Sequence, residues 1–225
     1  MSIKENLEKI LKVIPQNTNL IAVSKTKPIE DILEAYQAGQ RVFGENKALE
    51  LAEKQALLPK DIHWHFIGHL QTNKVKYIAA FVHLIHSVDR VKLLSVINKE
   101  AAKNNRTIDC LLQFYIATEE SKFGFDYDEA SALLSSKAFL EIKNIRIVGV
   151  MGMATYTTND KLIHQEFAQL KSYFDKLKST FFSNQDYFKE ISMGMSDDYK
   201  IAIEEGSTML RIGNSIFGKR NNNIL

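Results

Sequence analysis

Short apolar runs alternate with helical periodicities along this chain. An amphipathic helix is predicted over about 2–13, followed by strands at 20–24, 41–44, 64–68, 82–87, 108–116, 145–152, 188–193 and 209–213. Helical stretches at 29–38, 46–56, 72–80, 90–104, 127–136, 160–182 and 197–205 separate them. Several have recognisable starts: Pro28 at a first turn, Asp89 ahead of a leucine-rich helix, and Asp197-Asp198 at a helix N-terminus. Strands alternating with helices build βαβ units and a parallel sheet. Eight strands within 225 residues predict one (β/α)8 TIM-type barrel domain spanning residues 1–225, with an extra N-terminal helix. The competing fold is an open doubly wound sheet. It is disfavoured because no G-x-G-x-x-G follows the first strand.

Composition narrows the class. With 45% hydrophobic and 25% charged residues, the chain can bury a substantial core. No run approaches the roughly 18 apolar residues of a membrane span. The N-terminal MSIKENLEKILKVI lacks the apolar stretch and small-residue cleavage site of a signal peptide. A cytoplasmic protein with no membrane partner is expected. Lys+Arg of 29 against Asp+Glu of 27 gives a net charge of +2, unlike the strongly basic signature of a nucleic-acid binder. Lys219-Arg220 reads as a solvated tail. Cys110, the one cysteine, lies in the apolar run 108–116 and reads as a small core residue rather than a nucleophile.

In a barrel of this kind, function sits where strands end and βα loops begin. The first strand ends in Val23-Ser24-Lys25-Thr26-Lys27-Pro28, and alternation puts Ile21, Val23 and Lys25 on one face. A lysine ending such an apolar row suits a desolvated amine able to form a Schiff base. The competing reading is an ammonium that reaches solvent at the rim, and on this strand alone it leads. Lys27, before a proline, is expected to be exposed. After the second strand, Glu45 and Asn46 either aim at the mouth or cap the next helix. The third is followed by His65-Phe66-Ile67-Gly68-His69-Leu70-Gln71-Thr72-Asn73-Lys74, more polar than a turn requires.

The last two strands are the most informative. Ser192-Met193-Gly194-Met195-Ser196-Asp197-Asp198 leads into a helix whose first amides, with the Ser196 hydroxyl, can receive an anion. An ordinary N-cap is the alternative for Ser196. Strand eight runs from Arg211 into a second glycine-containing turn, Gly213-Asn214-Ser215. Loops after strands seven and eight are the customary phosphate site of such barrels. With a lysine ending the adjacent first strand, they suggest a phosphorylated ligand bearing a carbonyl. Pyridoxal 5′-phosphate (PLP) fits, with Arg211 in reach of its pyridine nitrogen. An ion pair with a rim carboxylate is the alternative for Arg211.

The motifs IAVSKTKP, FGEN, WHFIGHLQTNK, HSVD, EESKFGF, GVMGMAT, SMGMSDDY and RIGNSIFG follow one another in order from about residue 20 to 220. In them the chain resembles the pyridoxal phosphate homeostasis proteins. The resemblance implies a barrel like the N-terminal domain of alanine racemase, with PLP carried as a Schiff base on Lys25. It further implies phosphate contacts from Ser196, Gly213 and Asn214, Arg211 at the pyridine nitrogen, and Asn46 lining the pocket. Many members carry threonine where this chain has Asn214, whose amide can still donate to phosphate. Such proteins are associated with PLP supply and with amino-acid and keto-acid balance, and PLP-dependent apoenzymes are candidate partners.

A carrier or regulator is expected over the alternative of a PLP-dependent amino-acid racemase or lyase. Arginine cannot give a proton to the pyridine nitrogen, which weakens carbanion stabilisation. In alanine racemases the second base is a tyrosine from a further domain, and here the eight strands consume the chain. A metal-dependent hydrolase is a third possibility, raised by the pair His63 and His65. That pair falls early in its strand, and the other strand histidines, His83 and His86, share strand four, so no metal site is expected.

Overall fold

The computed structural model describes residues 2–118 and 123–218. Eight parallel strands close into a barrel: β1 (Asn19–Val23), β2 (Val42–Glu45), β3 (His63–Phe66), β4 (Leu84–Val88), β5 (Ile108–Gln113), β6 (Ile145–Met151), β7 (Glu190–Ser192) and β8 (Met209–Ile212). Strand β8 pairs back onto β1 from Asn19↔Met209 to Ala22↔Ile212, which closes the sheet and eliminates the open doubly wound alternative. The helices are α1 (Ile3–Val13), α2 (Ile29–Gln37), α3 (Ala48–Leu57), α4 (Val91–Lys103), α5 (Tyr127–Ser135), α6 (Lys137–Leu140), α7 (Asp160–Phe181), α8 (Tyr199–Glu204) and α9 (Asn214–Phe217).

Local chemistry explains several boundaries. The extra helix α1 opens on a capping box: Ser2 Oγ accepts from Glu5 N–H, and the Glu5 carboxylate accepts from Ser2 N–H. It buries Leu7 and Ile10, and the Asn6 amide donates to Ile216 O at 3.0 Å, tying α1 to α9. Asp126 and Glu129 form the same box at the start of α5. Two apolar layers follow from strand alternation. Ile21, Leu84, Leu111, Val148, Met151 and Met209 fill the barrel interior. Outward residues such as Phe43, Trp64, Ile85, Cys110 and Leu210 pack beneath the helices. Each large side chain so buried contributes roughly 1.5–3 kcal/mol. Cys110 is fully buried, and burial pushes its thiol pKa up, as befits a packing residue.

Some elements depart from the sequence reading. Strand five stops at Gln113 rather than 116; Phe114 makes only an isolated bridge to Phe125 as the chain turns away. Strand seven starts at Glu190, because Phe188 instead stacks on Phe182 with ring centroids 4.1 Å apart. The segment expected as a helix at 72–80 is a 3-10 helix, Thr72–Tyr77. Asp89 does not cap α4; its carboxylate binds Arg90 and His69. The tail at Lys219-Arg220 and residues 119–122 of the EESKFGF motif lie outside the described residues. Among the described residues, no helix is long and apolar enough to cross a membrane.

Candidate functional site

At the C-terminal mouth of the barrel lies a cavity of about 380 Å³. Its lining includes all six expected site residues: Lys25, Asn46, Ser196, Arg211, Gly213 and Asn214. They come from four separate strand ends, which is how such barrels assemble sites. Alternation acts as expected on β1: Ile21 sits in the interior layer, while Val23 and Lys25, on the same face, line the cavity. Lys25 is half-buried at the rim.

Arg211 is buried, and burial pulls its pKa down to about 10, so it remains a cation at neutral pH. Its Nη1 donates to Ser192 Oγ at 2.6 Å and its Nη2 to Gly152 O at 3.0 Å. The rim ion pair considered for Arg211 is not formed. Asp198 acts on it only through space, and the Asp198 carboxylate instead accepts from Met195 N–H at 2.5 Å. A guanidinium has five N–H donors. The remainder meet no acceptor among the described residues, so they are available to a ligand.

The two turns beside it form a set of donors. Ser196 is not an N-cap: α8 starts at Tyr199 with Asp198 in the cap position, and Ser196 Oγ accepts from Gly213 N–H at 3.4 Å. The anion-receiving amides therefore belong to the turns themselves. The backbone N–H groups of Ser196, Asp197, Asn214 and Ser215 find no acceptor among the described residues. Gly213 keeps this cradle close to the barrel, since a Cβ there would stand 3.1 Å from Val23 O. Unused donors beside a buried cation and a lysine fit a phosphorylated carbonyl compound such as PLP.

Other expectations are corrected. Neither Glu45 nor Asn46 caps α3, whose cap position is Lys47. Asn46 lines the cavity, whereas Glu45 turns outward toward α3 and is fully buried there. Burial raises the Glu45 pKa, although Lys54 Nζ lies 2.8 Å away and opposes the shift. Lys27 is not simply exposed; its Nζ donates to Phe217 O at 2.8 Å. The H-x-H pair stays on one strand face, where both rings stack with His83, which lies 5.6 Å from His65. His63 stacks on His83 with centroids 4.5 Å apart, and His65 hydrogen-bonds His86 at 2.9 Å. Among the described residues no group of three or more His, Cys, Asp or Glu could hold a metal ion.

Gln113, His69, Phe123, Met153 and Tyr156 also line the cavity and were not foreseen as site residues. Gln113 donates to Phe123 O at 2.9 Å, and His69 Nδ1 lies 2.9 Å from the Asp89 carboxylate. His69 carried a signal in the dense polar segment after β3, and Phe123 and Met153 fall in the EESKFGF and GVMGMAT motifs, whereas Gln113 and Tyr156 carried none.

Comparison with known proteins places this geometry. The alanine racemase N-terminal domain family model matches residues 1–221. The pyridoxal phosphate homeostasis protein of Aquifex aeolicus is 41% identical over 202 residues, 89% of this chain and 86% of that protein. The chain belongs to the pyridoxal phosphate homeostasis protein family. The member from Pasteurella multocida is 38% identical, with 98% of each chain covered. PipY of Synechococcus elongatus PCC7942, solved with PLP bound, superposes with a TM-score of 0.88 at 34% identity, covering 96% of this chain and 100% of that one. Alanine racemase from Bartonella henselae shares the barrel alone, with a TM-score of 0.69 at 16% identity, and this chain spans 60% of it.

Proposed function

We propose that this chain is a cytoplasmic PLP carrier and regulator, its residues 1–225 acting as one PLP-binding unit that serves PLP-dependent apoenzymes. The carrying observation is the convergence on one cavity of Lys25, the unused N–H groups of Arg211 and the unused amides of the Ser196 turn and of Asn214 beside Gly213. The homeostasis role given in its relatives' names and the PLP bound to PipY support the same reading.

When bound, PLP supplies an aldehyde that condenses with an amine and a ring that takes up electron density. In this reading Lys25 holds the cofactor covalently, and Ser196, Gly213 and Asn214 surround its phosphate, with the Ser196 and Asn214 amides as donors already in place. Arg211 directs N–H groups at the ring nitrogen and, remaining protonated, has no proton to give it. Asn46 forms part of the wall. The test is absorbance in the visible range after adding PLP, with and without borohydride. Wild type is expected to give a coloured species that reduction fixes on Lys25, and Lys25→Ala to give none. A reducible adduct retained in Lys25→Ala would sink the assignment and turn attention to Lys27.

One observation favours the second reading, a racemase or lyase. His69 lines the cavity with Nδ1 on the buried Asp89 carboxylate, a pairing that leaves Nε2 as a base. Deuterium incorporation at the α-carbon of L-amino acids, abolished by His69→Gln, would establish turnover. Its absence across an amino-acid panel supports the carrier.

A further inference from the structure

Lys25 leaves the barrel from a backbone held on both sides by a buried ionic cluster outside the cavity. Ser24 precedes it and faces outward. The Ser24 hydroxyl donates to Glu45 Oε1 at 2.6 Å, and its N–H donates to Gly44 O at 3.1 Å. The Ser24 carbonyl accepts from Lys54 Nζ at 2.8 Å and from Lys27 N–H at 3.0 Å. On the other side, Thr26 N–H donates to Glu50 Oε1 at 2.7 Å. Lys54 joins the two halves: its ammonium donates to Ser24 O, to Glu45 Oε1 at 2.8 Å and to Glu50 Oε1 at 2.7 Å. All three of its N–H groups are thereby used.

Two features mark this as more than a structural ion pair. Thr26 takes a left-handed backbone conformation, φ 63°, which a non-glycine residue adopts at a cost and keeps only where its surroundings enforce it. Glu45 is fully buried, with its second oxygen, Oε2, lacking any hydrogen-bond partner. A buried lysine–glutamate pair adds little net stability over apolar packing, so it is weak as a device for stability alone. It does fix direction.

We propose that Lys54 is a positioning residue for Lys25: with Glu45 and Glu50 it clamps the Ser24 and Thr26 backbone so that the Lys25 amine is presented to the cavity before any ligand arrives. The inference rests on the reading that Lys25 carries PLP. Misplacing a reacting group by about 1 Å can cost about a hundredfold.

The test uses the full chain in six forms: wild type, Lys54→Met and the double variant Lys54→Met/Glu45→Gln, and the same three on a Lys25→Ala background. The double variant guards against misfolding, because it leaves no buried carboxylate unpaired, and melting curves report the fold. Two readouts are taken: PLP affinity, and the rate at which the PLP-free protein's Lys25 is reductively methylated, located by peptide mass. With Lys25 present, the clamp variants are expected to bind PLP about tenfold more weakly and to show a several-fold change in methylation rate. On Lys25→Ala they should change PLP affinity less than about twofold. Folded clamp variants with wild-type affinity and methylation rate would overturn the proposal. So would an equal loss of affinity with and without Lys25, which would mean that Lys54 shapes the cavity wall. Retention of a reducible adduct by Lys25→Ala would instead overturn the cofactor reading beneath it.

Discussion

Ser192 Oγ accepts a hydrogen bond from Arg211 Nη1 at 2.6 Å and stands 2.9 Å from His86 Nδ1. Arginine only donates and the Ser192 hydroxyl meets no other acceptor among the described residues, so its proton is satisfied when His86 Nδ1 is the acceptor. His86 then carries its proton on Nε2 and donates to His65 Nδ1 at 2.9 Å. The need to satisfy the Ser192 proton thus sets the tautomers of two buried imidazoles in series. Both are kept neutral by burial, which lowers His65 to about 3 and His86 well below the ordinary histidine value. The chain of bonds runs down the barrel from the candidate site and holds the guanidinium in place.

The first prediction concerns that order. Nitrogen NMR at neutral pH is expected to show both His86 and His65 with Nε2 protonated and Nδ1 bare. Ser192→Ala leaves a buried Arg211 N–H and a buried His86 nitrogen without partners, a loss of about 1–3 kcal/mol for each unsatisfied group. Calorimetry should show the lower Tm, and PLP affinity should fall with it. A Nδ1-protonated His86 in wild type would refute the direction assigned to the chain.

Acid stability follows from the same pair. A histidine whose folded pKa lies below its unfolded value binds fewer protons when folded. Its contribution is therefore complete above about pH 6.5 and is lost as pH falls from there toward about 3, the folded value for His65. Each such histidine adds a slope of about 1.4 kcal/mol per pH unit inside that window. Glu45 and Asp198, both raised by burial, slope the opposite way. The difference between wild type and His65→Gln in urea unfolding from pH 4 to 7 isolates the histidine part. Parallel curves would show that His65 is not the group responsible.

Part of this was legible in the chain. Alternation through Ile21, Val23 and Lys25 brings the lysine to the mouth, and the glycine-containing turns after strands seven and eight mark the cradle, because both signals are local. Ser192 and His86 are 106 residues apart and meet only across the closed barrel, so no periodicity links them. Glu45 was ambiguous for a different reason. Its neighbours suggested a helix start, but α3 begins at Ala48, which puts Lys54 over Glu45 rather than Glu45 on the helix end. The alternative of an ordinary cap for Ser196 fails because Asp198 takes that position.

Gly68 tests the wall of the site. A Cβ at this position would lie 2.6 Å from Asn46 O, 2.7 Å from Asn46 Cβ and 2.8 Å from Asn46 Cα. Two of the three are backbone atoms, so no rotamer change relieves the clash and Asn46 must move. Gly68→Ala is expected to cost about 1–3 kcal/mol in stability, as overpacking does. A several-fold drop in PLP affinity should accompany it, measured by fluorescence titration at a temperature where the variant is folded. Unaltered affinity in a destabilised variant would remove Asn46 from the set of cofactor contacts.

Asn214 separates backbone from side-chain recognition of phosphate. It is the first residue of α9, exposed, and its side chain bonds to no described residue, while its backbone N–H is one of the unused donors. If the cradle is mainly backbone, Asn214→Ala should weaken PLP binding only modestly, by roughly the 0.5–1.5 kcal/mol of one hydrogen bond. Asn214→Thr, which restores a hydroxyl donor, should recover most of that loss. Pro at this position removes the amide itself and suits the φ of a first helical residue, although Gly213 before it, at ψ −67°, must adjust, which the melting comparison monitors. Asn214→Pro should therefore bind PLP more weakly than Asn214→Ala, and pyridoxal, which lacks the phosphate, should not distinguish the two. Equal PLP affinities for the alanine and proline variants, in proteins that melt alike, would mean that the phosphate is not held by this amide.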